Sequence, residues 1–108
     1  MTGVQTCALP IYNLREYAAF SLRSQGARRF GSAVLDLAWL AAGRFDGYWE
    51  LSTVPWDVAA GSLLVEEAGG RVTSFDGTPL DIDRPTVLAS NGIIHDEMLA
   101  VLREVRKR

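Results

Sequence analysis

Cysteine is almost absent: Cys7 stands alone in 108 residues, so no internal disulfide can form, and no Cys/His cluster has zinc-ligand spacing. That scarcity points to a reducing, cytoplasmic setting. Long apolar runs are missing as well. None approaches the roughly 18 residues needed to span a bilayer, and Met1 to Tyr12 has neither the basic start nor the apolar stretch of a signal peptide. Nor is there an excess of one charge. Eleven basic against thirteen acidic residues, for a formal charge of −2, give no electrostatic footprint for nucleic acid or an anionic membrane. The short basic end, Arg103 to Arg108, reads as a solvated last helical turn favoured by the helix dipole.

What is present suits one compact domain, since 48% of the residues are apolar, enough to bury a modest core. Residues 1–12 show no periodicity joining them to the rest of the chain. They resemble translated sequencing-adapter sequence and read as a foreign or disordered leader, with an ordinary frayed terminus as the other reading; residues 13–108 are taken as the domain.

Along that domain, Leu14, Tyr17, Ala18 and Leu22 recur at helical steps up to about Gly26, and Arg28 to Phe30 suggest a short strand. A second helix is expected over Ala33 to Ala42, with Gly43 as its stop. Gly47 to Leu51 is short and aromatic, a strand pattern. Ser52 or Thr53 can cap a third helix that has Pro55 in its first turn and ends at Gly69-Gly70. Asp76-Gly77 suits a tight turn, so Arg71 to Phe75 and the residues near Leu80 read as a small hairpin. Thr86 to Ala89 reads as a strand. A last helix, Ile94 to Arg106, has Met98, Leu99, Leu102 and Val105 inward. Strand and helix alternate throughout, which argues for an α/β fold.

Three places can carry chemistry. Asp57, in Pro55-Trp56-Asp57-Val58-Ala59-Ala60-Gly61, lies in the first turn of a helix just after a strand. There a carboxylate either takes a hard cation such as Mg²⁺ or simply offsets the dipole for about 0.3–1 kcal/mol. Ala59, Ala60 and Gly61 also allow close helix packing. Glu50, at the end of the aromatic strand, is either a hydroxyl acceptor in a ligand site or a solvated surface group. Gly31-Ser32-Ala33 opens a helix with free N–H groups, or is an ordinary Ser32 cap. His95, the only histidine, sits beside Asp96 and Glu97 and reads as a solvated surface group, while Trp39, Trp49 and Trp56 read as core. No Gly-x-Ser-x-Gly, phosphate-loop or dinucleotide pattern occurs.

Taken together, Arg29 to Ala33, Ala41 to Glu50, Pro55 to Gly61 and Glu66-Glu67-Ala68-Gly69-Gly70 resemble the C-terminal half of the inositol monophosphatase family, in order and spacing as well as in letters. The resemblance covers roughly Asn13 to Val105. It implies the C-terminal part of a layered αβ sandwich, a homodimer when full length, and Mg²⁺-dependent hydrolysis of a phosphate monoester on inositol or a related small polyol or sugar. By it, Asp57 would bind Mg²⁺ and approach a substrate hydroxyl. Glu50 and the segment Gly31, Ser32, Ala33 would contact the substrate's ring. The family's remaining metal ligands lie on a Glu and on an Asp-Pro-x-Asp-Gly-Thr/Ser motif in the preceding half, and this sequence has no Asp-Pro pair. Since one carboxylate cannot hold catalytic Mg²⁺ against its hydration, the isolated chain is expected to be inactive. A non-catalytic remnant or partner-binding module with the same fold is the alternative. Relatives acting on histidinol phosphate, fructose bisphosphate or adenosine bisphosphate share this half-pattern.

Overall fold

The chain is seen in a computed structural model that describes residues 4–6, 14–28, 32–51, 54–84 and 86–106. The elements are β1 (Val4–Thr6), α1 (Leu14–Arg23), β2 (Ala27–Arg28), α2 (Ala33–Ala41), β3 (Gly47–Glu50), α3 (Pro55–Glu67), β4 (Arg71–Thr73), β5 (Val87–Ser90) and α4 (His95–Arg106). They follow the expected alternation, and the fold is α/β. The described strands form a five-stranded sheet in the order β2-β1-β3-β5-β4. β1 is parallel to both β2 and β3, with Gln5 opposite Arg28 and Tyr48; β5 is antiparallel to β3 and β4. Parallel neighbours need crossover connections, which α1 and α2 supply.

Residues 4–6 belong to the segment read as a leader outside the domain, yet they form β1, hydrogen-bonded between β2 and β3. The other leader residues, the expected strand residues Arg29 and Phe30, and the expected caps Ser52 and Thr53 lie outside the described residues. The N-cap position of α3 is Val54, with no side-chain cap bond, and Pro55 follows it as expected.

Side chains alternate across the strands and so feed two cores. On one face Trp49 and Leu88 meet Phe20 of α1 and Met98, Leu99 and Leu102 of α4. On the other, Tyr48, Val87 and Ala89 meet Leu37 and Leu40 of α2 and Val58 and Val65 of α3. Every residue of β3 and β5 is buried, as it must be in strands covered on both sides.

Gly61 lets α2 and α3 approach closely, because a Cβ there would run into the Leu37 side chain and come within 2.8 Å of its Cβ. The small-residue explanation for Gly61 therefore holds, whereas Ala59 and Ala60 face outward. α1 turns differently from its expected stripe. Phe20 is fully buried, its ring centroid 4.6 Å from that of Trp49, and this larger aromatic contact leaves Leu14 and Leu22 exposed. The expected hairpin is reduced. Gly77 turns the chain at φ +87°, but β4 pairs with β5, and the returning strand contributes only the bridge between Thr73 and Pro79, whose ring nitrogen has no N–H for a longer ladder.

Candidate active site

The parallel strands β2, β1 and β3 direct their carboxyl ends to the same edge of the sheet, and the chain leaves that edge into the N-termini of α2, α1 and α3 respectively. α1 packs on the Trp49 face and α3 on the Tyr48 face. Between the adjacent strands β1 and β3 the chain thus departs to opposite sides. In open α/β sheets the carboxyl edge at such a switch point is where ligands bind.

Several of the singled-out residues stand at this edge. Glu50 closes β3 and is not solvated: it is 1% exposed, and its Oε1 accepts the Leu51 N–H at 2.9 Å. The surface reading of Glu50 fails because β3 is covered on both faces. Asp57 is half-buried in the first turn of α3, its own N–H donating to the Val54 carbonyl at 3.1 Å. Ser32 caps α2, its Oγ accepting the Leu35 N–H at 3.3 Å, and Ala33 packs against the α2–α3 core. Gly31 lies outside the described residues. Sequence reasoning misses two acids at the same edge. Glu16, in the first turn of α1, is buried with Oε2 unpartnered, and Asp36, in the first turn of α2, is fully buried. Their positions in helix first turns are the available signal.

The inositol monophosphatase family model matches residues 6–107. The chain belongs to that family. An inositol-1-monophosphatase of Caulobacter vibrioides is 45% identical over 105 residues, covering 94% of this chain and 41% of that protein. The Nus factor SuhB of Pseudomonas aeruginosa is 48% identical over 69 residues, 64% of this chain and 26% of that protein. Among solved structures, inositol monophosphatase from Anabaena (Nostoc) sp. superposes with a TM-score of 0.88 at 47% identity, covering 95% of this chain and 43% of that one. The chain therefore spans less than half the length of these relatives, and the expected resemblance is borne out over that span.

For this inositol monophosphatase family chain, the fit to a metal ion can be tested directly. Among the described residues no group of three or more His, Cys, Asp and Glu side chains is arranged to hold one. Mg²⁺ demands near-octahedral oxygen ligation and dehydrates reluctantly. The described residues therefore do not make a metal centre by themselves.

Two further expectations are corrected. Trp56 is 73% exposed beside Asp57, not core, whereas Trp49 is buried and Trp39 lies half-buried under the Arg44 guanidinium, 4.4 Å from the ring centroid. His95 is not a surface group. Its side chain is fully buried at the far edge of the sheet, between Ser90 and Thr73. Burial first, and the Arg71 charge second, hold its pKa down to about 4 against an opposing pull from Asp96.

Proposed function

We propose that this chain forms part of a Mg²⁺-dependent phosphomonoesterase acting on inositol monophosphate or a related small polyol or sugar phosphate. The observation that carries the reading is Asp57 in the first turn of α3, beyond the buried Glu50, at the switch point of a sheet shared with solved inositol monophosphatases. In this reading Asp57 supplies one ligand to Mg²⁺ and the remaining ligands come from the part of the family's length that the chain does not span. When bound, the ion would polarise phosphoryl oxygens and lower the pKa of an attacking water.

The chain's own residues bind and orient the substrate. Glu50, desolvated and fixed by the Leu51 N–H, is a strong acceptor for a ring hydroxyl. Asp57, in the first turn of α3, offers a second acceptor. The small residues Ser32 and Ala33 that open α2, with Gly31 before them in the sequence, suit close contact with the substrate's ring. Assembly as a homodimer and a cytoplasmic location belong to the same proposal.

The test is to restore the missing length by fusing this chain to the unmatched portion of the Anabaena protein and measuring phosphate release from inositol monophosphate. Mg²⁺-dependent turnover that disappears in Asp57→Asn is expected, with none from the 108-residue chain alone. Turnover by the isolated chain would contradict the reading.

A second reading, a non-catalytic partner-binding module, is favoured by the similarity to a protein named Nus factor. A restored protein that folds and binds a protein partner but releases no phosphate would select it.

A further inference from the structure

Asp36 is fully buried on the inner side of α2, beside Leu37 and one turn before Leu40, which pack into the core against α3 and β3. Burying a carboxylate is costly even where its oxygens are bonded, and an apolar side chain of similar size often does as well or better for stability. The dipole of α2 favours an acid in its first turn, but surface acids gain the same, and it offsets only a fraction of the desolvation. Packing therefore does not account for the residue type. Where one residue breaks the local rule of an otherwise consistent core, function is the usual compensation.

Helix geometry sets where Asp36 reaches. Each Cα–Cβ bond tilts toward the helix N-terminus, so the carboxylate leans toward the opening of α2, where Ser32 caps the helix and its carbonyl accepts the Asp36 N–H at 2.9 Å. α2 returns the chain between strands that run the same way, so its opening lies at the end of the sheet where β3 finishes with Glu50. Side chains alternate along β3, which puts Glu50 on the Tyr48 face, the one that α2 and α3 cover. Asp36 and Glu50 are thus two carboxylates, 0% and 1% exposed, at one edge and on one face, and neither lacks a partner. Glu16 lies across the sheet, where α1 packs on the Trp49 face.

We infer that Asp36 is a positioning residue of the substrate site. Without touching the substrate, it holds Glu50 and the Ser32–Ala33 opening of α2 in the geometry that receives the hydroxyls of a polyol phosphate. Groups that bind a ring productively have to be held to a fraction of an ångström, and a buried, bonded side chain behind them supplies that constraint. The role in substrate binding rests on the function proposed above; the coupling of Asp36 to Glu50 and to the opening of α2 does not.

The experiment compares the 108-residue chain with its Asp36→Asn variant, which keeps the shape of the side chain and removes its charge. Amide hydrogen exchange is read at Leu51, whose N–H the Glu50 Oε1 accepts, and at Leu35, whose N–H the Ser32 Oγ accepts. The variant is expected to speed exchange at both by at least ~10-fold more than it speeds the amides of β5, which report global opening. An acceleration no greater than that of β5 overturns the inference. If Asp36→Asn does not fold, the carboxyl ¹³C signal of Asp36 is read in Glu50→Gln instead; it is expected to shift, and an unmoved signal overturns the inference. In the fusion to the unmatched portion of the Anabaena protein, Asp36→Asn is expected to raise KM for inositol monophosphate at least ~10-fold with kcat within about threefold, because the acceptors it positions bind the ring and not the reacting phosphate. The exchange measurement needs no substrate. Local acceleration at Leu51 and Leu35 in a fusion without Mg²⁺-dependent turnover would defeat the catalytic reading alone, and turnover with an unchanged KM in Asp36→Asn would defeat this one alone.

Discussion

Thr73 Oγ1 and His95 Nε2 stand 2.8 Å apart, and the surrounding bonds fix which of them donates. The Thr73 hydroxyl gives its proton to the Ser74 carbonyl at 2.8 Å, so it accepts from the His95 Nε2–H. On the other side, Ser90 Oγ accepts the Gly92 N–H at 3.0 Å and donates to His95 Nδ1 at 2.8 Å. His95 is thereby the neutral Nε2–H tautomer, tying the start of α4 to β4 and β5 with no bonding capacity left over.

Acid should loosen this corner. The folded-state pKa of His95 lies near 4, below its ordinary 6.5, so between those values the unfolded chain binds the proton that the folded chain refuses. The contribution is fully present above about pH 6.5, is lost as the pH falls, and stops changing below about 4, for a total of about 3 kcal/mol. Denaturant unfolding at a series of pH values checks this; a flat profile across that window would contradict it.

Removing the ring should cost more than its volume. His95→Ala leaves the Thr73 and Ser90 hydroxyls without their shared partner and opens a cavity, with an expected loss of about 2–5 kcal/mol. The same variant should flatten the dependence of stability on pH. Equilibrium unfolding of the two proteins at pH 7 and pH 5 reads both effects.

The close approach of α2 and α3 gives a third expectation. Gly61→Ala places a Cβ within 2.8 Å of the Leu37 Cβ, an atom fixed to the backbone of α2. The helices have to separate, at a cost of about 1–3 kcal/mol. The double variant Gly61→Ala, Leu37→Ala keeps that Cβ contact and removes only the clash with the outer Leu37 atoms, so a double-mutant cycle should show a favourable coupling smaller than the cost of Gly61→Ala alone.

Much of the fold is legible in the sequence because helix and strand periodicities are local. Spacing alone assigns Met98, Leu99, Leu102 and Val105 to the buried side of α4, where they lie, and Pro55 to the opening of α3. The orientation of α1 is not legible, because choosing between a Leu14–Leu22 stripe and Phe20 depends on Trp49, which is distant in sequence. The hairpin is overstated by local pattern for a similar reason: β5, the partner that β4 prefers, lies beyond the turn.

At the site, spacing places Glu50 at a strand end and Asp57 in a first turn, but only the sheet topology shows both at one switch point and Glu50 buried. His95 looks solvated in the sequence because its neighbours Asp96 and Glu97 are; one helical position rotates it by about 100°, enough to take it from the exposed to the buried side. The exposure of Trp56 cannot be read from its apolar surroundings, since those surroundings are themselves an outer face.

The most direct test concerns Asp57 and magnesium. Titrating Mg²⁺ calorimetrically into the fusion that restores the family's full length should give an affinity that falls at least ~10-fold in Asp57→Asn, while the folded 108-residue chain loses no more than about 1 kcal/mol of stability to the same change. Unchanged magnesium affinity in the folded Asp57→Asn fusion would contradict the account.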